Sequence, residues 1–220
     1  MTTKTIPVVK EILNANDQVA LENSNTFSQN SIFVLNLMAS PGAGKTSLIL
    51  ATSTRLPDTL RPGVIEGDLA SRIDADKIAA QNIPVVQINT GGGCHLDAPM
   101  IRSALPDLPL DEIGLLFVEN VGNLVCPANF KLGANAAIVV ASVSEGHDKP
   151  HKYPGIFAAA DAVILNKADL MEVFEFDLEF FTTGLRMVNA NAPLFVLSCK
   201  TGNGLDAWVE WLTQKALNGD

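Results

Sequence analysis

The sequence has 220 residues, of which 47% are hydrophobic, so we expect one globular domain over residues 1–220 with a sizeable core. Its net charge of −9 argues against nucleic-acid and anionic-membrane partners, because both surfaces repel an acidic protein. Three cysteines do not make a disulfide framework, and we find no signal core and no apolar run of about 18 residues. These features predict a location in the reducing cytoplasm, with no contact to a membrane.

Apolar residues at helical spacing predict an N-terminal helix over about residues 8–22, which would pack on the outside of the domain or against a second subunit. Apolar strand-like runs then alternate with helical stretches. The predicted strands are residues 32–38, 60–68, 85–89, 115–119, 136–143, 162–165 and 194–197. This alternation predicts an α/β fold, a doubly wound, mostly parallel sheet with helices on both faces. In such sheets ligands bind beyond the carboxyl ends of the strands.

The loop after the first predicted strand carries a P-loop pattern, Gly, four residues, then Gly-Lys-Ser/Thr. Residues 39–46 are Ala-Ser-Pro-Gly-Ala-Gly-Lys-Thr, so Ala39 stands where the pattern has its first glycine and its turn must accept a Cβ. The glycines let backbone N–H groups converge on phosphate, Lys45 would neutralise the β/γ-phosphates, and the Thr46 hydroxyl would ligate Mg²⁺. The predicted nucleotide-binding residues of this loop are Gly42, Ala43, Gly44, Lys45, Thr46 and Ser47.

The sequence Asn-Lys-Ala-Asp at residues 166–169 directly follows a predicted strand and indicates guanine. The Asp169 carboxylate can accept hydrogen bonds from N1–H and the exocyclic amino group of guanine, which adenine does not offer in that arrangement. Residues 198–200 follow the last strand and could offer backbone N–H groups to the guanine carbonyl. GTP is therefore the predicted nucleotide, bound by Asn166, Lys167, Asp169, Ser198, Cys199 and Lys200.

Two carboxylates at predicted strand ends, Asp68 and Glu119, would face the phosphates. Mg²⁺ requires oxygen ligands, which Thr46, Asp68 and Glu119 can supply, and either carboxylate could instead orient the attacking water. The predicted catalytic residues are Lys45, Asp68 and Glu119. We expect slow turnover, because no arginine is evidently placed to stabilise the transition-state charge.

Cys94, His95 and Cys126 also follow apolar strands. Thiolate and imidazole together suit Ni²⁺, Zn²⁺ or Cu⁺ rather than Mg²⁺. Three glycines precede Cys94 and permit an irregular loop in which adjacent Cys and His side chains face one ion. The spacing also allows the commoner arrangement, a buried core cysteine and a hydrogen-bonded surface histidine.

From residue 34 to its end, the chain resembles the hydrogenase maturation GTPases that insert nickel, the HypB family. The resemblance is carried by residues 35–46, 65–70, 89–97, 118–127 and 144–150, most specifically by Gly-Gly-Gly-Cys-His and Asn-Val-Gly-Asn-Leu-Val-Cys-Pro. It implies a GTPase that forms a GTP-dependent homodimer, with Cys94, His95 and Cys126 holding nickel or zinc at the interface. It also implies a hydrogenase precursor (the large subunit) and a second accessory protein as partners, and Mg²⁺ near Thr46, Asp68 and Glu119.

Residues 1–30 contain no Cys or His, so the additional N-terminal nickel sites of some members are not expected. Residues 120–126 connect Glu119 to a metal ligand, which predicts a segment that moves on hydrolysis and alters the metal site. A urease-type nickel-insertion GTPase and a non-catalytic nickel- or zinc-binding dimer are the alternatives. One loop carries His147 and His151 together with Lys149 and Lys152, and the sequence leaves their roles open.

Overall fold

The computed structural model describes residues 8–218. The strands are β1 (Phe33–Ala39), β2 (Pro62–Asp68), β3 (Val85–Asn89), β4 (Leu115–Glu119), β5 (Ala136–Ser142), β6 (Ala162–Asn166) and β7 (Leu194–Val196). The helices are α1 (Val8–Gln29), α2 (Lys45–Ser53), α3 (Ile73–Ala79), α4 (Ala98–Ala104), α5 (Lys149–Lys152), α6 (Pro154–Ala158), α7 (Leu178–Val188) and α8 (Leu205–Asn218). The strands form one seven-stranded sheet in the order β3-β2-β4-β1-β5-β6-β7. All its pairs are parallel, which confirms the predicted doubly wound sheet.

Helices cover both faces of the sheet because its strands are apolar on both sides. On one face, Leu37 and Phe117 pack in a core with residues of α2 and with Trp208 of α8. On the other, Ile65 and Val118 pack with Phe27 of α1 and with residues of α4. Helices α6 and α7 cover that second face further along the sheet, over β5 and β6. Helix α2, which follows the P-loop, and helix α1 therefore lie on opposite faces of the sheet.

Helix α1 is longer than predicted, because it continues to Gln29 and not to about residue 22. The predicted end of the helix near residue 22 is wrong. Asn23 is buried, and its Nδ2 donates to the carbonyl oxygens of Ala98 (2.9 Å) and Leu132 (3.1 Å). Phe27, one turn later, enters the core. The hydrogen bonds of Asn23 and the packing of Phe27 hold α1 on its own domain, where it lies on the outside of the sheet against α4.

The carboxyl ends of β1, β2 and β4 lie side by side, so they bring the P-loop, Asp68 and Glu119 to one edge of the sheet. Glu119 ends β4 and pairs in register with Leu37 of β1 on one side and with Glu66 of β2 on the other. The P-loop leaves the carboxyl end of β1 between these strands and β5. This is the edge at which a doubly wound sheet binds ligands. Within residues 8–218, no helix combines the length and the apolarity that a membrane span requires.

Candidate nucleotide and metal site

The P-loop connects β1 to α2 through residues 40–44. Gly44 has φ +102°, and a Cβ there would run into the Asn166 amide, so this position requires glycine. Ala39 is the last residue of β1, fully buried in the core, which explains how the loop accepts its methyl group. Lys45 and Thr46 begin α2 and are both buried, while the exposed Ser47 follows them. The loop therefore presents a helix N-terminus and a lysine to one small region, the arrangement that binds phosphate.

A cavity of about 290 Å³ lies beside the P-loop and gathers residues from three separate loops. It is lined by Gly44, Ser47, Asn166, Lys167, Asp169, Leu170, Ser198, Cys199 and Lys200. All six residues that the sequence predicts to bind the guanine base therefore line this one cavity. A larger cavity of about 620 Å³ lies at the amino ends of β2 to β4, lined by Arg61 and Glu112 among others, away from the P-loop.

Asn166 holds the three loops of this cavity together. Its Nδ2 donates to the Ala43 carbonyl (3.1 Å), and its Oδ1 accepts from the N–H groups of Lys167 (2.7 Å) and Cys199 (3.2 Å). The Cys199 N–H is thus engaged by Asn166. Across the cavity, the Ser198 hydroxyl donates to Asp169 Oδ1 at 2.6 Å, which fixes the carboxylate. These hydrogen bonds fix the three loops of the cavity relative to one another.

Lys167 and Cys199 complete the cavity in different ways. Lys167 has φ +60°, and its Nζ donates to the Gly42 carbonyl (2.8 Å) and to Ser144 Oγ (3.1 Å), so its stem lies across the cavity mouth. Burial raises the pKa of the Cys199 thiol to about 11. This cysteine lines the cavity and is not part of the group formed by Cys94, His95 and Cys126.

The carboxylates beside the P-loop differ in their surroundings. Thr46 Oγ1 donates to Glu119 Oε1 at 2.9 Å, and burial raises the pKa of Glu119 to about 7. Asp68 Oδ1 accepts from the N–H groups of Ala70 (2.9 Å) and Ser71 (2.7 Å), and these hydrogen bonds lower the pKa of Asp68. The buried Glu119 Oε2 has no partner among the described residues. A hydroxyl and carboxylates of this kind are the donor set that Mg²⁺ takes, so the residues fit that ion.

Glu66 belongs to the same region and was not predicted as a site residue. It is only 2% exposed, and burial, followed by the nearby charge of Glu119, raises its pKa to about 8. The signal that could have found it is a charged residue inside an otherwise apolar strand, two positions before Asp68 and so on the same face.

Cys94, His95 and Cys126 form a second cluster, in which one potential ligand atom from each lies within 4.8 Å of the others. Cys94 Sγ is 3.5 Å from His95 Nδ1. The His95 ring stacks on Phe130 at 3.8 Å between centroids, and burial lowers its pKa, which favours the neutral, ligating imidazole. The neighbouring Cys126 thiol raises the pKa of Cys94. Cys94 is exposed, so the cluster is open to solvent on one side.

Two asparagines tie the loops of this cluster to each other and to the end of β4. Asn120, directly after Glu119, is buried, and its Oδ1 accepts from the Leu96 N–H at 2.9 Å, next to His95. Asn123 Nδ2 donates to the Cys94 carbonyl at 3.2 Å, which ties the loop of Cys126 to that of Cys94. This connection through Asn120 was not predicted. It links the end of β4 to the loop of His95 by one hydrogen bond, whereas the predicted connection follows the chain through residues 120–126.

His147 and His151 do not join the Cys/His cluster. The Asp177 N–H donates to His147 Nδ1 at 3.2 Å, and both rings contact Phe180 of α7. In the same loop Lys152 pairs with Asp148, and Lys149 Nζ lies 5.6 Å from the centroid of the Tyr153 ring. These side chains pack and pair within their own part of the fold.

The fold and the site define a P-loop nucleotide-binding protein with a Cys/His cluster that can hold a metal. A family model described as the CobW/HypB/UreG nucleotide-binding domain matches residues 33–196. The hydrogenase maturation factor HypB of Escherichia coli K12 is 48% identical over 202 residues, covering 92% of this chain and 70% of the relative. The hydrogenase/urease maturation factor HypB of Helicobacter hepaticus is 42% identical, covering 98% and 90%. The chain belongs to the HypB family of hydrogenase maturation factors.

Two solved structures are similar to this fold over most of both chains. HypB from Helicobacter pylori in complex with nickel has a TM-score of 0.89 and 38% identity, covering 93% of this chain and 96% of that one. HypB from Archaeoglobus fulgidus has a TM-score of 0.86 and 34% identity, covering 92% and 99%. The expected resemblance to this family is confirmed.

Proposed function

We propose that this protein is a GTP-hydrolysing metallochaperone that delivers nickel to a [NiFe]-hydrogenase precursor. The observation that carries the proposal is the Cys94, His95 and Cys126 cluster, joined to the P-loop side of the sheet through Asn120. The nickel complex of the Helicobacter pylori relative supports nickel as the cargo. We place it in the reducing cytoplasm, where ligand thiols stay reduced.

The cluster supplies three protein ligands and is open at Cys94, so further ligands can come from outside the chain. A second copy with its own cluster fits this need, and we propose that GTP-bound subunits pair there around one nickel or zinc ion. The open side also lets nickel pass to a hydrogenase maturation accessory protein or to the hydrogenase large subunit. A closed four-ligand site would retain the metal.

For hydrolysis, the P-loop residues 42–47 would hold the phosphates, and Lys45 would neutralise charge that develops between the β- and γ-phosphates. Thr46 and Glu119 would hold Mg²⁺, which supplies charge neutralisation when bound. Asp68, less buried and with a lowered pKa, fits the residue that orients the attacking water. The base would occupy the cavity beside Asn166, Lys167, Asp169 and residues 198–200.

Guanine selection is tested by Asp169→Asn, which should weaken GTP binding at least about 10²-fold, since each hydrogen bond to a charged group contributes about 1.5–3 kcal/mol. Xanthosine triphosphate has a carbonyl where GTP has the exocyclic amino group, and the new amide can donate to it. We therefore expect the variant to prefer xanthosine triphosphate, measured by equilibrium binding of both nucleotides. The exposed Asp107→Asn is the matched control, and retained preference for GTP in Asp169→Asn would contradict the guanine assignment.

Coupling between the two sites is tested by nickel affinity in different nucleotide states. Loss of the γ-phosphate would free Glu119, and Asn120 would pass this movement to the loop of His95. Nickel affinity should differ about 5–150-fold between a non-hydrolysable GTP analogue and GDP, the usual range of such coupling. The measurement is competition with a chromogenic chelator, with an ATP analogue as the control that should change nothing. Equal nickel affinity in the GTP-analogue and GDP states would leave the delivery mechanism without its driving step.

Delivery to urease is the second candidate, favoured by the Helicobacter hepaticus relative, a hydrogenase/urease maturation factor. It uses the same nucleotide and nickel chemistry and differs only in the recipient.

A further inference from the structure

Glu66 is a buried carboxylate that the proposed hydrolysis leaves without a role. It lies on β2 in register with Glu119 of β4, so the two side chains project from the same face of adjacent strands. Val64, two positions earlier and therefore on the same face, packs in the core that includes residues of α2. Glu66 thus lies on the side of the sheet where α2 and the P-loop lie.

The burial of Glu66 is costly in the absence of a partner. Its Oε2 is buried and makes no hydrogen bond within residues 8–218, and the same holds for Glu119 Oε2. Glu66 and Glu119 are 2% and 4% exposed. An apolar residue would be more stable at such a position, since unpaired buried carboxylates destabilise a fold.

The charges around Glu66 are unbalanced. Glu119 lies in register with Glu66 on β4, and Asp68 lies two positions further along β2 on the same face. Besides burial, the charges of Glu119, Asp68 and Asp74 raise the pKa of Glu66, while Lys45 lowers it. Lys45 is also the residue expected to face the phosphates, which add further negative charge. A divalent cation is the ligand that this arrangement of oxygen acceptors and excess negative charge would attract.

We propose that Glu66 is a positioning residue of the magnesium site. Thr46 and Glu119 would hold the Mg²⁺ ion, and the Glu66 carboxylate beside them would accept hydrogen bonds from its waters. Mg²⁺ keeps several of its waters in proteins, and these waters need hydrogen-bond acceptors. Such outer partners commonly change metal affinity about 10–100-fold. The inference rests on the proposed function, because it assumes that the P-loop binds nucleotide together with Mg²⁺.

The test is the Mg²⁺ dependence of nucleotide binding in Glu66→Gln, which keeps the shape of the side chain and removes its charge. Binding of a fluorescent, non-hydrolysable GTP analogue is titrated with Mg²⁺. We expect the half-saturating Mg²⁺ concentration to rise about 10–100-fold, while nucleotide affinity in EDTA is unchanged. The exposed Glu112→Gln should behave as the wild type. Thermal unfolding in EDTA should show Glu66→Gln to be at least as stable as the wild type, because the wild type must bury this side chain either as an unpaired carboxylate or at the cost of taking up a proton.

The outcomes separate this inference from the proposed function. A wild type without Mg²⁺-dependent nucleotide binding would overturn the magnesium-dependent GTPase itself. A normal wild type together with an unchanged Mg²⁺ requirement in Glu66→Gln would overturn only the role of Glu66. If Glu66→Gln does not fold, Glu66→Met, an apolar residue of similar length, is titrated in its place with the same expected shift, and an unchanged Mg²⁺ requirement there also overturns the inference.

Discussion

Replacing Lys45 by alanine should lower the rate of GTP hydrolysis about 10²–10³-fold, as loss of one preorganised charge-stabilising group does elsewhere. Lys45 is 8% exposed at the first position of α2, in a loop whose shape Asn166 maintains. The lost interaction is strongest where charge develops in the transition state, so the effect belongs mainly to the rate at saturating GTP. The measurement is phosphate release at saturating GTP and Mg²⁺, alongside equilibrium binding of a GTP analogue.

The control for this substitution is Lys215→Ala on α8, which removes a lysine from the last turn of another helix. In the absence of nucleotide, nickel binding should be the same in Lys45→Ala as in the wild type, because the cluster uses none of its atoms. Hydrolysis at the wild-type rate in Lys45→Ala would refute the assigned role. A wild type that binds nickel but does not hydrolyse GTP would favour the alternative of a non-catalytic metal-binding dimer.

The sequence was sufficient to predict the sheet, because its strands are apolar runs bounded by polar loops. β3 and β4 have the predicted bounds, and the other strands differ by a few residues at their ends. The end of α1 could not be predicted in the same way. Asn23 resembles a helix terminator locally, but its Nδ2 donates to carbonyl oxygens of Ala98 and Leu132, far away in the chain. Tertiary hydrogen bonds of this kind override local preference.

The nucleotide cavity was predictable from motifs because each motif follows a strand, and parallel strands end at one edge. The metal cluster could not be predicted from spacing alone. The spacing of Cys94, His95 and Cys126 also allowed a buried core cysteine and a hydrogen-bonded surface histidine. The structure brings their ligand atoms within 4.8 Å of one another. A charged residue inside an apolar strand marks Glu66, but its position beside Glu119 and the contact of Asn120 with the loop of His95 depend on which strand lies beside which, and no local pattern carries that information.

Replacing Cys126 by serine should weaken nickel binding at least about 10²-fold, because loss of an outer partner alone already reduces metal affinity by up to about that much. A serine hydroxyl is a harder and much less acidic ligand than a thiol, so it does not replace a thiolate on nickel. Cys94→Ser should have a similar effect, since both sulfur atoms belong to one three-ligand cluster. Nickel affinity is measured by chelator competition, and the sulfur-to-nickel charge-transfer absorption should weaken, because one of two sulfur ligands is gone.

The third cysteine provides the matched control for this prediction. Cys199 lines the cavity beside Asn166 and lies outside the three-ligand cluster, so Cys199→Ser should bind nickel as the wild type does. Hydrolysis without nickel should persist in Cys126→Ser, because Glu119 and Thr46 keep their hydrogen bond in a separate part of the site. Full nickel affinity in both Cys94→Ser and Cys126→Ser would show that the cargo binds elsewhere. Each variant keeps only one cysteine with His95, and such a pair cannot match the affinity of the three-ligand cluster. Delivery through this cluster would then have to be abandoned even if GTP hydrolysis were intact.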